Sequence, residues 1–316
     1  TRSRQVTGVQ TCALPIYVVG DFLRETRLRK GYTQEEVSYG ICTPASLSRI
    51  ENGAQKPGRL ILEKLFERLG TENNLFNSFV SKEEMELYLE IQTLIRNVTD
   101  GDLQRIEEQI DIVDRLTKNT SELERQSLFW AKGELATQKY GNNGKAMEYL
   151  MKAIQITLPD FDGKNPLRNH LLTFDEITII NSIAVRHAEN TSLLTAIQLD
   201  MWLKEYMENR VVDGRMKTAK YPMILYNLSC WFGSEHCHKE ALDIANQGVD
   251  FCVKYGNLVA FPRLILNQGI ASVELGQIDN AKKYLHQAVT IFETMKRMDT
   301  VEYITTWCRN EYQIEI

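Results

Sequence analysis

The chain has 316 residues and a formal net charge of −5, with 43% hydrophobic and 25% charged residues. This composition is that of an ordinary soluble globular protein, and no apolar run is long enough to span a bilayer, so no transmembrane helix is expected. Only seven prolines, and no long alternation of β-branched and polar residues, predict an all-α fold.

The first 19 residues do not follow the pattern of the rest of the chain. Residues 6–16, VTGVQTCALPI, resemble a translated sequencing-library adapter and have neither the apolar core of a signal peptide nor a helical period. We therefore interpret residues 1–19 as a non-native leader and expect the first domain to span residues 20–70.

Residues 20–30 are predicted to form the first helix of that domain, and residues 60–69 its last. In the first helix, Phe22, Leu23 and Leu28 are expected to face the core. The remaining surface carries four cations, which form either a solvated face or contacts for phosphate groups. They are Arg24, Arg27, Arg29 and Lys30.

Residues 33–53, TQEEVSYGICTPASLSRIENG, predict two short helices joined by a tight turn. Thr33 caps the first helix, and a glutamate three residues later completes a capping box. Gly40 gives the turn its backbone freedom. Thr43 caps the second helix with Pro44 at its first position, where no amide hydrogen is needed.

This stretch resembles the helix-turn-helix of Xre/Cro-type repressors. Residues 33–36, TQEE, and 48–53, SRIENG, match the usual string, although the turn is slightly shorter than the commonest form. The resemblance implies that the second helix enters the major groove of double-stranded DNA. Arg49 would reach a guanine or a phosphate. The other residues expected at base edges are Thr43, Pro44, Ala45 and Ser46, and those expected at the DNA backbone are Gln34, Asn52, Lys56 and Arg59.

Charge is distributed unevenly along the chain. Residues 20–70 contain nine Lys and Arg against seven Asp and Glu, whereas the part from residue 71 onward has a net charge of −9. We call residues 20–70 the head. A mildly basic head followed by an acidic remainder fits a protein that binds DNA at one end only. Because the charge of the head is modest, we expect two heads in each DNA complex, and hence a homodimer.

From residue 71 onward, apolar periodicity predicts five helix pairs and a last helix over residues 301–312. The pairs are 81–97 with 102–117, 121–139 with 144–157, 173–189 with 192–209, 220–232 with 238–255, and 258–275 with 278–297. Such a run is the signature of an α-solenoid. The spacing of Gly269, Gly276, Ala281, Leu285 and Ala288 resembles a tetratricopeptide repeat, so residues 71–316 are predicted to form a domain of tetratricopeptide-like repeats.

Three asparagines are predicted to occupy equivalent places in the first helices of successive pairs, which line the inner surface of a solenoid. Because an amide both donates and accepts, such a ladder can pair with the backbone of an extended peptide; alternatively, the amides bond within the helix stack. Two arginines nearby could meet a carboxylate, and a lysine occupies the corresponding place one pair earlier. The predicted peptide-binding set is Lys132, Asn181, Arg186, Asn227, Arg263 and Asn267.

A helix-turn-helix head joined to degenerate repeats resembles the peptide-sensing regulators of the Rgg, PlcR and NprR-like group. The resemblance implies a cytoplasmic transcriptional regulator whose repeats hold a short signalling peptide, which changes how a homodimer presents its heads to DNA. The alternative is a regulator whose repeats bind a protein partner. Asparagines facing an open groove favour the peptide, and a filled groove favours the partner or a purely structural array.

We predict no catalytic function, no cofactor and no metal site. The sequence has no phosphate-binding glycine loop and no Ser/Lys pair with a self-cleavage linker. Its six cysteines lack paired spacing and are expected to be reduced thiols. One cluster of metal-ligating residue types matches no common zinc spacing. It consists of Cys230, His236, Cys237 and His238.

Overall fold

The computed structural model describes residues 16–71, 82–118, 122–190, 192–210 and 212–316. Within these ranges the regular secondary structure is helical throughout, which confirms the predicted all-α fold. The predicted leader lies outside them up to residue 15. None of the described helices combines the length and the apolarity that crossing a bilayer requires.

Four helices form the N-terminal head: α1 (Ile16–Arg29), α2 (Gln34–Ser38), α3 (Pro44–Glu51) and α4 (Arg59–Arg68). Their apolar faces meet in one core that includes Leu23, Val37, Leu47, Leu65 and Phe66, each with no exposed surface. The helix-turn-helix predicted over residues 33–53 is thus α2, the turn and α3, held between α1 and α4.

The first helix differs from its prediction in two respects. It begins before the expected boundary at residue 20, because Val19 is buried in the head core. Leu28, expected in that core, is 57% exposed. The approach of α1 to α3 is close at Gly20, where an added Cβ would lie 2.2 Å from the carbonyl oxygen of Ile50. Only a glycine allows the two helices to cross at that distance.

The rest of the described chain forms five antiparallel helix pairs and a closing helix, as predicted. The elements are α5 (Lys82–Asp100) with α6 (Leu103–Leu116), α7 (Gln126–Gln138) with α8 (Asn143–Gln155), α9 (Phe174–Asn190) with α10 (Leu193–Asn209), α11 (Gly214–Ser234) with α12 (His238–Tyr255), α13 (Phe261–Glu274) with α14 (Ile278–Thr294), and α15 (Met298–Tyr312). A short 3₁₀ turn, Glu122–Arg125, leads into α7. The first helices of consecutive pairs contact one another, so α5, α7, α9, α11 and α13 form the inner layer of the stack.

Small residues at the predicted repeat positions let the paired helices approach closely. Ala196 and Ala281 are completely buried, and Gly269 faces Leu285 on the second helix of its own pair. A Cβ at Gly269 would lie 2.7 Å from the Leu285 side chain, closer than real Cβ contacts come. The glycine predicted for close helix approach therefore has that role.

Helix α11 begins six residues earlier than predicted and contains Pro222 in its interior. A proline cannot donate to the carbonyl four residues before it, which here belongs to Thr218. That carbonyl instead accepts a hydrogen bond from the Asn257 side chain at 2.8 Å. Because Asn257 lies in the turn between α12 and α13, the proline position also ties two neighbouring pairs together.

Candidate DNA interface and repeat groove

The two helices of the motif are positioned by side-chain caps. The Thr33 hydroxyl accepts from the amide of Glu36 at 3.1 Å, and the Glu36 carboxylate accepts from the amide of Thr33 at 2.7 Å. The Thr43 hydroxyl accepts from the amide of Ser46 at 3.1 Å, with Pro44 at the first helical position. Both predicted caps are present, and together they fix where α2 and α3 begin.

The start of α3 presents the predicted base-facing residues to solvent. Thr43, Pro44 and Ala45 are exposed and Ser46 is half-buried, whereas Leu47 is fully buried on the opposite side. The exposed face consists of small side chains, so the helix can approach the base edges of a major groove closely. The predicted face is therefore accessible in the isolated chain.

Arg49 lies one turn further along the same face. Its Nε donates to the side-chain oxygen of Gln55 at 3.0 Å, and its Nη2 to the hydroxyl of Ser46 at 3.2 Å. These bonds hold the guanidinium group over the exposed face. Asn52 is exposed and accepts from Arg24, with 3.4 Å between Nη1 of the arginine and Oδ1.

Gln34 and Arg27 meet at one buried carboxylate. Arg27 donates twice to Glu51, at 2.7 and 2.8 Å, and Gln34 donates to Glu51 at 2.8 Å. The prediction that Arg27 belongs to the cationic surface of α1 is wrong, because this arginine is buried and links α1 to α3. Lys30 also points inward and donates to the carbonyl oxygen of Leu69. Arg24 and Arg29 remain exposed.

The two remaining predicted backbone contacts follow α3. Lys56 is exposed. Arg59, at the first position of α4, stacks its guanidinium group over the ring of Tyr88 in α5, with 3.7 Å between the guanidinium carbon and the ring centroid. Arg59 thus contacts the repeat domain, and a role at DNA phosphate stays a prediction.

The asparagine ladder exists, but its members bond to the helix stack. Asn227 donates to Asn181 at 2.9 Å, linking α9 and α11, and also to Asp200 of α10 at 3.3 Å. Asn267 donates to Cys230 of α11 at 3.2 Å. Asn227 is 9% exposed and Asn267 7%, whereas Asn181 is half-buried. The alternatives for the ladder are pairing with a peptide backbone and bonding within the helix stack. The amide donors of Asn227 and Asn267 bond within the stack.

The cations of the predicted groove have different surroundings. Lys132 forms an ion pair of 3.0 Å with Asp114 of α6. Arg263 is half-buried, with its guanidinium carbon 5.7 Å from the centre of the Tyr226 ring. Arg186 is 7% exposed, and its Nε and Nη1 atoms are buried without a hydrogen-bond partner among the described residues. Its only carboxylate contact in that part of the chain is Glu189, at 3.5 Å. Arg186 is therefore the predicted groove cation whose donors are least satisfied.

Asp200 was not among the predicted site residues. It is completely buried in α10, and burial raises the pKa of its carboxyl well above the ordinary value, while the hydrogen bond from Asn227 lowers it. Desolvation at this depth disfavours the charged form of the carboxyl beneath the ladder. An aspartate among the apolar residues of α10 is a sequence signal that could have identified it.

The head and the repeats are joined by buried charge pairs. Arg68 of α4 pairs with Glu176 of α9 at 2.8 Å, and Lys64 pairs with Asp175 at 2.6 Å. Glu67 accepts from the amide of Phe174 at the start of α9 at 3.0 Å. Burial raises the pKa of Glu67 to about 8, although Lys64 opposes the shift. Three charged residues on two successive turns of α4 thus bind one helix end of the repeat domain.

The motif turn also rests on the repeats. Gly40 has a φ of 65°, and an added Cβ would lie 2.0 Å from the carbonyl oxygen of Thr157, just beyond α8. The preceding Tyr39 donates its hydroxyl to Asp160 and packs edge-on against His170, with ring centroids 4.6 Å apart. Gly40 therefore serves two purposes, the turn that the sequence predicts and a contact between domains that it does not reveal.

Comparison with known proteins identifies the head. A family model described as a helix-turn-helix domain matches residues 18–79. The uncharacterized HTH-type transcriptional regulator YqaF of Bacillus subtilis is 38% identical over 63 residues, which are 20% of this chain and 83% of YqaF. The chain belongs to the helix-turn-helix transcriptional regulators. As in other members, the motif makes it a DNA-binding protein.

The complete architecture of this regulator also has a solved counterpart. The crystal structure of Bacillus thuringiensis PlcR in complex with the peptide PapR7 and DNA matches with a TM-score of 0.59 over 91% of this chain and 99% of that one, at 18% identity. The apo form of PlcR matches with a TM-score of 0.57 over 92% and 98% of the two chains, also at 18% identity. The regulator therefore shares the PlcR fold, a helix-turn-helix head followed by helical repeats.

Among the described residues of the regulator, no group of three or more His, Cys, Asp or Glu side chains is arranged to hold a metal ion. In the cluster considered above, Cys230 instead accepts the hydrogen bond from Asn267.

Proposed function

We propose that this regulator is a cytoplasmic, sequence-specific DNA-binding protein whose repeat domain binds a short signalling peptide, and that the peptide changes how a homodimer presents its two heads to DNA. The observation that carries the proposal is the joining of an exposed α3 face to an inner wall of repeat helices in one PlcR-like fold.

The DNA half of the proposal rests on the face of α3. Its exposed residues and the oriented Arg49 guanidinium group lie on one side of the head, away from the buried core. A single head makes few contacts, so a dimer reading two half-sites one helical turn apart, roughly 34 Å, supplies the remaining affinity. The operator is then expected to be close to palindromic.

The peptide half rests on the inner wall. PlcR, whose fold this chain shares, was crystallised with a peptide and DNA. In the present chain, Nε and Nη1 of Arg186 are buried without a hydrogen-bond partner among the described residues, although Nη1 lies 3.5 Å from the Glu189 carboxylate, and Asn181 is half-buried on the same helix. A peptide carboxylate would satisfy Arg186. For the peptide to act as a signal, it must bind one arrangement of the dimer more tightly than another.

The test is a DNA-binding titration of the purified full chain. The DNA is taken from upstream of its own gene, the salt concentration is varied, and short peptides secreted by the source culture are added or omitted. We expect salt-sensitive binding to that DNA and not to an unrelated duplex, with the peptide fraction shifting the affinity. The exposed variant Lys282→Ala in α14 serves as a control for the charge of the protein.

The DNA-binding and the peptide-binding parts of the proposal are contradicted by different results. Binding that does not discriminate between the two DNAs contradicts the operator assignment. Specific binding that no peptide fraction alters contradicts the peptide assignment and favours a protein partner for the repeats. The second candidate has structural support as well, because the amide donors of Asn227 and Asn267 are engaged inside the stack.

A further inference from the structure

A cavity of about 460 Å³ lies where the head meets the repeats. Its walls come from α4 on one side and from the inner-layer helices α5, α7, α9 and α11 on the other. Much of the lining is apolar, including Leu60, Leu87, Ile91, Ile95, Phe174 and Met216. Its volume and lining fall within the range of small-molecule sites in proteins.

Two of the cations in the wall already have contacts of their own. The Lys64 ammonium group lies 2.6 Å from the Asp175 carboxylate, and the Arg59 guanidinium group lies over the Tyr88 ring. Neither group is therefore available for an anionic ligand without breaking a contact between the head and the repeats.

Two of the carboxylates are engaged as well. Asp213 caps α11 by accepting from the amides of Arg215 and Met216, at 2.9 and 3.1 Å. Glu67 accepts from the amide of Phe174 at 3.0 Å. These two carboxylates hold the ends of α9 and α11 in place.

Glu63 is different. Its Oε2 atom is buried and has no hydrogen-bond partner among the described residues. Burial raises the pKa of Glu63, while the neighbouring Lys64 lowers it. A buried acceptor without a donor is costly, on the order of 1–3 kcal/mol and more for a charged group. The wall thus contains a carboxylate oxygen that lacks the donor such a position requires.

We propose that the junction cavity binds a primary ammonium group carried on an apolar body, with the Glu63 carboxylate as its acceptor. An ammonium group is a compact cation that can direct one of its three donors at a single oxygen, whereas a guanidinium group is best matched by two oxygens together. The apolar lining accommodates the rest of the ligand. A free amine and the N-terminal ammonium group of an apolar peptide share this chemistry. The inference does not depend on the proposed function.

The occupant would contact α4 and the repeat helices at once, and it would therefore stabilise the docked arrangement of the two domains. This follows from the position of Glu63, which lies on the head and lines the cavity together with apolar side chains of α5 and α11. Binding should raise the midpoint of thermal unfolding, and the rise should grow with the logarithm of the ligand concentration once that concentration exceeds Kd.

The test uses calorimetric titration of the purified full chain at pH 7 with 1-hexylamine, which is protonated, and with 1-hexanol, its uncharged counterpart. We expect the amine to bind about tenfold more tightly or better, since a hydrogen bond to a charged group contributes about 1.5 kcal/mol or more. Glu63→Gln should abolish the preference for the amine. Glu86→Gln, at an exposed position of α5, should retain it.

A second variant keeps the proposal testable if Glu63→Gln does not fold. Leu60→Trp fills the cavity from the head side and should weaken both probes. Equal affinity of the wild-type chain for amine and alcohol, or an undiminished preference in Glu63→Gln, or undiminished amine binding in Leu60→Trp, would overturn the proposal. A trileucine amide, with either a free or an acetylated N-terminus, then distinguishes a peptide ligand from a free amine. Binding that requires both the free N-terminus and Glu63 identifies the ligand as a peptide end. Binding of hexylamine but of neither peptide identifies it as a free amine.

Discussion

Arg68 and Glu176 are 108 residues apart in the chain, yet their side chains meet at 2.8 Å with no exposed surface on either. Arg68 ends the last helix of the head, and Glu176 lies in the first turn of α9. The Glu176 carboxylate also accepts from the amide of Thr173 at 2.6 Å, so it caps α9 while pairing with the head. The start of the third repeat pair and the head are therefore held by one carboxylate.

Removing the arginine should be strongly destabilising. Arg68→Met leaves the Glu176 charge buried without its partner, and we expect a loss of about 3–5 kcal/mol in the free energy of unfolding. Urea titration followed by circular dichroism measures it. Arg105→Met breaks an exposed ion pair with Asp102 instead and should change stability by less than about 1 kcal/mol. Equal effects of the two changes would contradict the role given to the buried pair.

The pKa of Glu67 predicts a dependence of stability on pH. The folded-state pKa of about 8 lies above the ordinary value of 4.5, so between these values the folded chain keeps a proton that the unfolded chain has lost. The contribution to stability is complete below pH 4.5 and is lost as the pH rises through 8, at no more than about 1.4 kcal/mol per pH unit. Glu67→Gln should flatten this part of the curve.

The measurement for Glu67 is the urea midpoint of the wild-type chain and of Glu67→Gln at a series of pH values from 5 to 9. Glu302→Gln changes an exposed glutamate on α15 and serves as the matched control, with a curve parallel to that of the wild-type chain. If Glu67→Gln is also parallel to the wild-type chain, the glutamate is ionised in the folded state and the expectation fails.

Two glycines in similar helices should respond in opposite ways to alanine. At Gly269, a methyl group would lie 2.7 Å from the fully buried Leu285 side chain, so Gly269→Ala should cost about 1–3 kcal/mol. At Gly233 in α11, no atom lies within 4 Å of the added Cβ, and Gly233→Ala should stabilise by about 0.5–1 kcal/mol through the unfolded state. Thermal unfolding of both variants checks this, and a shift of the same sign in both would refute the packing argument.

Arg49 should matter for DNA and not for folding, because it is exposed and its hydrogen bonds are to neighbouring polar side chains. Arg49→Ala is expected to weaken operator binding by about 1–3 kcal/mol with an unchanged melting temperature. Arg49→Lys separates the two contacts that an arginine can make. Lysine restores affinity at a phosphate but not at the paired acceptors of a guanine. Fluorescence anisotropy on operator and unrelated DNA measures both variants, and unchanged affinity in Arg49→Ala would remove this residue from the interface.

The elements that the sequence predicts well are those with local causes. Thr33 and Thr43 cap helices through bonds that reach only three residues, and the positions of α2 and α3 follow from them. The sequence predicts the start of α11 at residue 220, six residues too late, and it does not reveal that Asn257, 39 residues from Thr218, accommodates Pro222 inside the helix. Periodicity contains no information about such a distant donor.

The same limit applies to the sites. Spacing placed Asn181 and Asn227 on facing helices, and they are indeed in contact. It could not show how tightly the helices pack, which decides whether an amide faces a groove or a neighbour. The partners of Arg27 and Arg68 lie 24 and 108 residues away, so one internal strut was mistaken for a surface cation and one domain contact went unnoticed.

The contact of Gly40 with Thr157 couples the position of the motif turn to that of the second repeat pair. Main chain meets main chain there, so no side chain can rotate to absorb a displacement. A small tilt of the second repeat pair must therefore be matched by a tilt of the turn and of the recognition helix that follows it. In the proposed dimer, the distance between the two recognition helices has to match one turn of DNA. In that proposed dimer, the end of α8 would be the pivot through which the curvature of the repeat stack sets that distance.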